Sequence, residues 1–149
     1  MFHHINCRCL PEDHPDSVGA ELLVRKDRII PRQPYSDIYT EPSFDYVIVK
    51  TSEKVMSERG GSLYIATNRF WYAGERISNY TFVVSVVDQI VQRVYMVDEW
   101  FKFSDGKYKG RWGFFGKEVD NEEVNAIIGK RIPEKYRVLG NASPVLYKK

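Results

Sequence analysis

Histidine is confined to one end of this chain: its three copies, His3, His4 and His14, all fall within the first 14 residues. A Ser-His-Asp or Cys-His catalytic arrangement in the body of the chain is therefore excluded unless the N-terminal segment folds over it. Cysteine is scarcer still. Cys7 and Cys9 are the only two, too close in sequence to bridge without strain, so no disulfide framework supports the fold and a reducing compartment is expected. The set His3, His4, Cys7, Cys9 and His14 is metal-capable, yet its spacing fits no common zinc pattern. No metal or other cofactor is expected. Long apolar runs are missing too: the longest, around "FVVSVV", falls far short of the roughly 20 residues that span a bilayer. The N-terminus also lacks the basic-then-apolar pattern of a secretion signal. A cytoplasmic protein without a membrane partner is expected.

What the chain does have is aromatic side chains and an uneven spread of charge. Its 149 residues are 43% hydrophobic and include 10 Tyr, 8 Phe and 3 Trp. One core of ordinary size and a β-rich domain fit that composition better than a helical bundle does. Net charge is only +2. Residues 1–44 hold five Lys/Arg against seven Asp/Glu, however, and residues 100–149 hold eleven against six, so the balance moves from −2 to +5. A locally basic face attracts nucleic acid even on a nearly neutral protein. The same lysines also suit a merely solvated surface.

Prolines at 11, 15, 31, 34 and 42 cut the first 44 residues into short pieces. Only "ELLVRKDRII" can pair with itself there, as two short strands around Lys26 and Asp27. Residues 1–44 therefore read as an arm packed along a domain formed by residues 45–149, whose first buried strand is "DYVIVKTS". Gly60 and Gly61 then break the chain and Ser62 can cap a helix. Leu63, Ala66, Thr67 and Phe70 recur at helical spacing and predict a helix over about 63–71. Its end crowds Asn68, Arg69 and Trp71 together, and Trp71 there suits a core position or a pocket wall equally.

"YTFVVSVVDQIVQRVYMVDEWFKF" is the strongest strand signal, with "DQ" as a tight turn between two runs. Strict alternation sends Val91, Arg93, Tyr95 and Val97 to one face and Gln92, Val94, Met96 and Asp98 to the other. Both faces are partly apolar, which favours a curled sheet or small barrel. After a turn at "SDGK" comes "KGRWGFFGK". Alternation there places Tyr108, Trp112 and Phe114 inward, and Lys109, Arg111, Phe115 and Lys117 outward as a cationic strip with one ring in it, a pattern suited to single-stranded nucleic acid. "DNEEVNAIIGKRIPEKY" predicts a helix capped by Asp120 with Glu123 at its third position, Val124, Ile127 and Ile128 buried, and Gly129 at its end. "ASPVLY" can close the sheet as a last strand.

In this order, the hairpin "VVSVVDQIVQRVYMV", the motif "GRWGFFG", the segment "IGKRIP" and the tail "GNASPVLY" resemble small bacterial proteins of the PUA-like superfamily, which includes PUA, ASCH, EVE, YTH and SRA domains. The resemblance covers roughly residues 45–147. It implies an α+β fold: a curled, mostly antiparallel, barrel-like sheet with two or three short helices. It also implies binding of RNA, or of a modified or flipped base, in an aromatic cage that would correspond here to Trp71, Trp100 and Trp112. The tail departs from the pattern at Ser143 and Leu146.

Three functions of different classes follow. One is a nucleic-acid or modified-nucleobase binding module. In it Trp71 with Trp100 or Trp112 stacks on a base, Lys50, Arg69, Arg93 and Arg111 hold phosphates, and Asn68, Lys109 and Lys117 are further ligand-binding candidates. Another is a nucleoside hydrolase of the ASCH type using Lys50, Thr51 and Glu53, although a strand would turn Lys50 and Thr51 to opposite faces. The last is a protein-interaction or inhibitor protein of phage or defence origin, for which Tyr and Trp are equally well suited.

Overall fold

The structure, a computed structural model, describes residues 27–31, 38–137 and 144–148. Its centre is two short strands with almost unbroken apolar sequence, β1 (Val47–Thr51) and β2 (Phe82–Val87), which run parallel with Val47 opposite Val83. A strand paired on both edges and covered on both faces has no polar side to show, and "VIV" and "FVVSVV" have that composition. Parallel neighbours need a long crossover. Here it carries α1 (Glu53–Glu58), α2 (Leu63–Thr67) and a 3-10 turn at Glu75–Asn79. Ser52 and Ser62 start the two helices by accepting from Val55 N and Ile65 N. Gly60 and Gly61, with φ of 74° and 85°, make the turn between them.

From β2 the chain turns back at Asp88 and Gln89, both at positive φ as a two-residue hairpin requires, into β3 (Ile90–Lys102) and then antiparallel β4 (Trp112–Glu118). A short α3 (Glu122–Asn125) and a 3-10 turn at Glu134–Tyr136 precede β5 (Val145–Tyr147), which lies antiparallel to β1. The order is β4-β3-β2-β1-β5. Among the described residues this is an α+β fold with one five-stranded mixed sheet and three short α-helices, three of the four strand pairings being antiparallel. The expected barrel is not closed. β4 and β5 are opposite edges, and β4's outer amides are taken by the crossover: Trp112 N donates to Trp71 O at 2.8 Å, Phe114 N to Asn68 O at 2.8 Å and Gly116 N to the Tyr64 hydroxyl at 3.1 Å.

Each sheet face carries its own core. Ile48, Val84, Val86, Val91 and Val94 pack under Val124, Ile127, Ile132 and Tyr136 on one side. Val47, Val49, Val83, Tyr95, Trp100, Trp112 and Phe114 pack with Ile77 on the other. This corrects the alternation expected along β3, because the strand bulges twice. Ser85 pairs Arg93 but Val86 pairs Val91, so Gln92 is an extra residue and Val91 joins Val94 rather than Tyr95. Val97 pairs Gly116 but Glu99 pairs Phe115, so Asp98 is a second one and Trp100 comes onto the face of Tyr95 and Val97.

Two predicted helices are shifted. The helix expected over 63–71 stops at Thr67, because Asn68 and Trp71 bond to β4 and Phe70 takes a φ of 74°. The cap of α3 is Asn121, whose side chain accepts from Val124 N at 2.9 Å, not Asp120, which accepts instead from Asn125 Nδ2. Glu123, expected at the third position after that cap, holds Ser43 N and Oγ at 2.7 and 2.9 Å. α1 was not anticipated at all. Of "ELLVRKDRII", residues 27–30 are described and form no strand. Asp27 accepts from Leu63 N, and the Gln92 side chain pairs with both Ile30 N and Ile30 O. The rest of that segment, and His3, His4, Cys7, Cys9 and His14, lie outside the described residues.

Candidate functional site

The three tryptophans do meet. Trp71 forms a bridge with Trp112, and Trp100 stands edge-on to Trp112 with ring centroids 6.5 Å apart. Each indole N–H is spent on a backbone carbonyl: Trp71 on Thr67 O, Trp100 on Tyr80 O and Trp112 on Ala73 O, at 2.6, 2.8 and 3.0 Å. Trp100 and Trp112 are each only 6% exposed and Trp71 is half-buried. Rings fixed in this way make a rigid wall, with little face left open for a base. Two of them, Trp100 and Trp112, border a cleft of about 540 Å³ whose rim carries Glu75, Asp98 and Glu99 along with Lys102, Ser78, Tyr80 and Thr81. That rim is acidic on balance and does not suit phosphate.

Asn68 and Arg69 lie beneath this wall. Asn68 is fully buried, giving Nδ2 to Phe114 O at 3.0 Å and accepting Arg69 Nε on Oδ1 at 2.7 Å. Arg69 is 5% exposed. Next to them Tyr64 packs tilted against Tyr95 and edge-on to Phe114, and burial pushes its phenol pKa up. These groups attach the crossover to the β4 edge.

Phe70 is where the chain changes sides. Left-handed backbone is uncommon for a bulky residue and marks a constrained position. Its φ of 74° separates it from Trp71: Phe70 joins Phe101, Phe103, Tyr108 and Phe115, whereas Trp71 packs with Trp112. On that other side cations and rings form one column. The Arg59 guanidinium lies 4.4 Å from the Phe70 centroid, and Phe70 stacks on Tyr108 at 3.7 Å with 21° between planes. Arg111 follows, 5.2 Å from the Tyr108 ring and 3.9 Å from Tyr72, whose hydroxyl accepts Arg111 Nη2 at 2.7 Å. Tyr72 ends the column, 72% exposed. Arg111 Nη1 reaches Phe70 O at 3.4 Å, and no carboxylate among the described residues pairs with Arg111. Lys107 sits 5.3 Å from the Tyr108 ring, Lys109 is exposed beside it, and the same turn also carries the exposed Asp105.

The cationic strip read from alternation is thus divided. β4 begins only at Trp112, and Gly110 at a φ of 84° ends a turn that holds Lys109. Tyr108 lies in the Phe70 cluster and not with Trp112 and Phe114, while Phe115 packs on Phe101 with centroids 4.9 Å apart. Lys117 is exposed toward the far end of β4, opposite Met96. The remaining candidates stand elsewhere. Arg93 Nη1 donates to Gln92 O, and its Nε is 3.7 Å from Glu118. Lys50 gives its ammonium to Tyr136 O at 3.2 Å, on the other core face from the tryptophans, and burial lowers its pKa. Thr51 ends β1 and Glu53 is exposed at the start of α1. Tyr72, Phe70 and Arg59 had no sequence signal as a site, because Tyr72 meets Arg111, Phe70 meets Tyr108 and Arg59 meets Phe70 only through the fold.

No family model, curated protein or solved structure matches this chain. Among the described residues, no helix is long and apolar enough to cross a membrane.

Proposed function

We propose that this chain is a binding module for single-stranded nucleic acid or an unstacked base, of the PUA-like kind that its sequence resembles. The contact surface is the column ending in Arg111 and Tyr72, with the tryptophans as its rigid support. One observation carries the reading: a guanidinium without a carboxylate partner among the described residues, stacked between Tyr108 and the 72% exposed Tyr72. A guanidinium has five N–H donors, and the bonds to Phe70 O and the Tyr72 hydroxyl use two of them. The others can fork onto a phosphate while the outer face of Tyr72 stacks on a base. Lys107 and Lys109 extend the positive field along the strand that would follow. Arg69, buried on Asn68, and Arg93, next to Glu118, are placed to hold the protein rather than a ligand.

The competing reading is a protein partner, since exposed Tyr and Arg are also the residue types of interface hot spots. Fluorescence anisotropy with a labelled single-stranded oligonucleotide separates the two. Binding that weakens in both Tyr72→Ala and Arg111→Met supports the nucleic-acid reading; absence of binding at low salt removes it.

A further inference from the structure

The cleft beside the tryptophan wall has a chemistry that nucleic-acid binding does not use. Its floor is Trp100 and Trp112, its rim holds Glu75, Asp98 and Glu99, and its volume is about 540 Å³. The chain already seats a cation in it. Lys102 lies on the same face of β3 as Trp100 and opposite Trp112 in register, with its ammonium 4.9 Å from the Trp112 ring centroid and 2.9 Å from Glu75 Oε1. An alkylammonium held between an indole face and a carboxylate is a favourable arrangement, since Trp offers the strongest aromatic face to a cation.

One ammonium does not balance the cleft. Glu75 is already paired with Lys102, which leaves Asp98, brought to the cleft as the extra residue of the second bulge, the same irregularity that brings Trp100 onto the floor. We propose that the cleft binds a small aliphatic diamine or polyamine. One ammonium of the ligand takes the place of the Lys102 ammonium between Trp112 and Glu75, a second is held at Asp98, and the methylene chain runs along the cleft floor between them. Lys102 is then a resident competitor whose side chain must move aside. A divalent metal is a poorer fit, because among the described residues no three acidic, His or Cys side chains converge on a point. The proposal is independent of the Tyr72 surface.

Spermidine titrated into the full-length protein, followed by tryptophan fluorescence and calorimetry, tests it. Glu75 and Asp98 are both exposed, so their substitution leaves the core intact. Saturable binding is expected, weakened by about tenfold in Glu75→Gln and in Asp98→Asn, as for loss of one close charge pair. Binding should tighten several-fold in Lys102→Met and stay unchanged in Tyr72→Ala. Failure of spermidine to saturate both the wild type and Lys102→Met overturns the proposal. So does wild-type affinity in both carboxylate variants, or equal competition by Mg²⁺ at matched ionic strength, which would mean diffuse charge attraction only.

Discussion

Tyr72 and Trp112 are one bridge apart in the fold, yet they carry opposite expectations. Tyr72 is 72% exposed and supports no core, so Tyr72→Ala should leave the denaturation midpoint near that of the wild type. It should also remove about 1–3 kcal/mol of oligonucleotide affinity, the usual loss of one stacking ring. Trp112 is 6% exposed, with its N–H on Ala73 O, Trp100 at its edge and Lys102 on its face. Trp112→Ala should cost about 3–5 kcal/mol of folding stability. Chemical denaturation of the two variants side by side checks both expectations. A large stability loss in Tyr72→Ala would move that ring from the contact surface into the framework. Gly113 makes the same point about tightness: a Cβ built there would lie 2.6 Å from the Phe101 ring and 2.7 Å from Asn68 O. Gly113→Ala should therefore destabilise by about 1–3 kcal/mol, as overpacking does, and denaturant titration reads it.

At the scale of elements, the contact between Ser43 and the first turn of α3 responds to pH. Glu123 accepts from Ser43 N and Oγ, and these bonds hold its carboxyl below the ordinary value for glutamate. A carboxyl with a depressed folded pKa contributes fully above its unfolded pKa and loses that contribution as pH falls through the folded value. Amide exchange at Ser43 should therefore speed up on acidification through the glutamate range, relative to the intrinsic rate, and Glu123→Gln should flatten the dependence. Exchange that follows the intrinsic rate alone would show that this bond does not hold the segment.

Elements also mark where sequence reasoning holds. The "DQ" turn, the Ser62 cap, the hairpin strands and the final strand rest on short-range rules, and each is present. α1 was missed because six residues give too short a window for periodicity, although Ser52 before Glu53 and the apolar pair Val55 and Met56 are a start signal. The bulges at Gln92 and Asp98 depend on which partner residue each strand finds, and alternation along one strand carries no information on that. For the same reason the Arg111–Tyr72 stack, closed between residues far apart in sequence, could not be read in advance. Trp71, Trp100 and Trp112 were grouped only through the family resemblance, and that their N–H groups end on carbonyls was not legible.

For the whole molecule, the two sheet faces divide the work. One packs against α3 and Tyr136, and the other carries the tryptophan wall. β4 has Trp112 and Phe114 on this second face and Phe115, with the Phe70 cluster, on the reverse. An open edge would invite pairing with other chains, and the bonds from Trp112, Phe114 and Gly116 to the crossover cover this one. The proposed nucleic-acid surface therefore consists of side chains, above all Arg111 and Tyr72 with Lys107 and Lys109.

The most direct test of that claim is a salt titration of single-stranded oligonucleotide binding, read by anisotropy for the wild type, Tyr72→Ala and Arg111→Met. With three cations on phosphates, log affinity should fall with log salt at a slope of about −2, from about −0.7 per phosphate. Arg111→Met should lower the steepness by about one phosphate's share, and Tyr72→Ala should weaken binding at every salt concentration with the slope unchanged. No binding to the wild type at about 50 mM salt, or the same curve for all three proteins, would contradict the account.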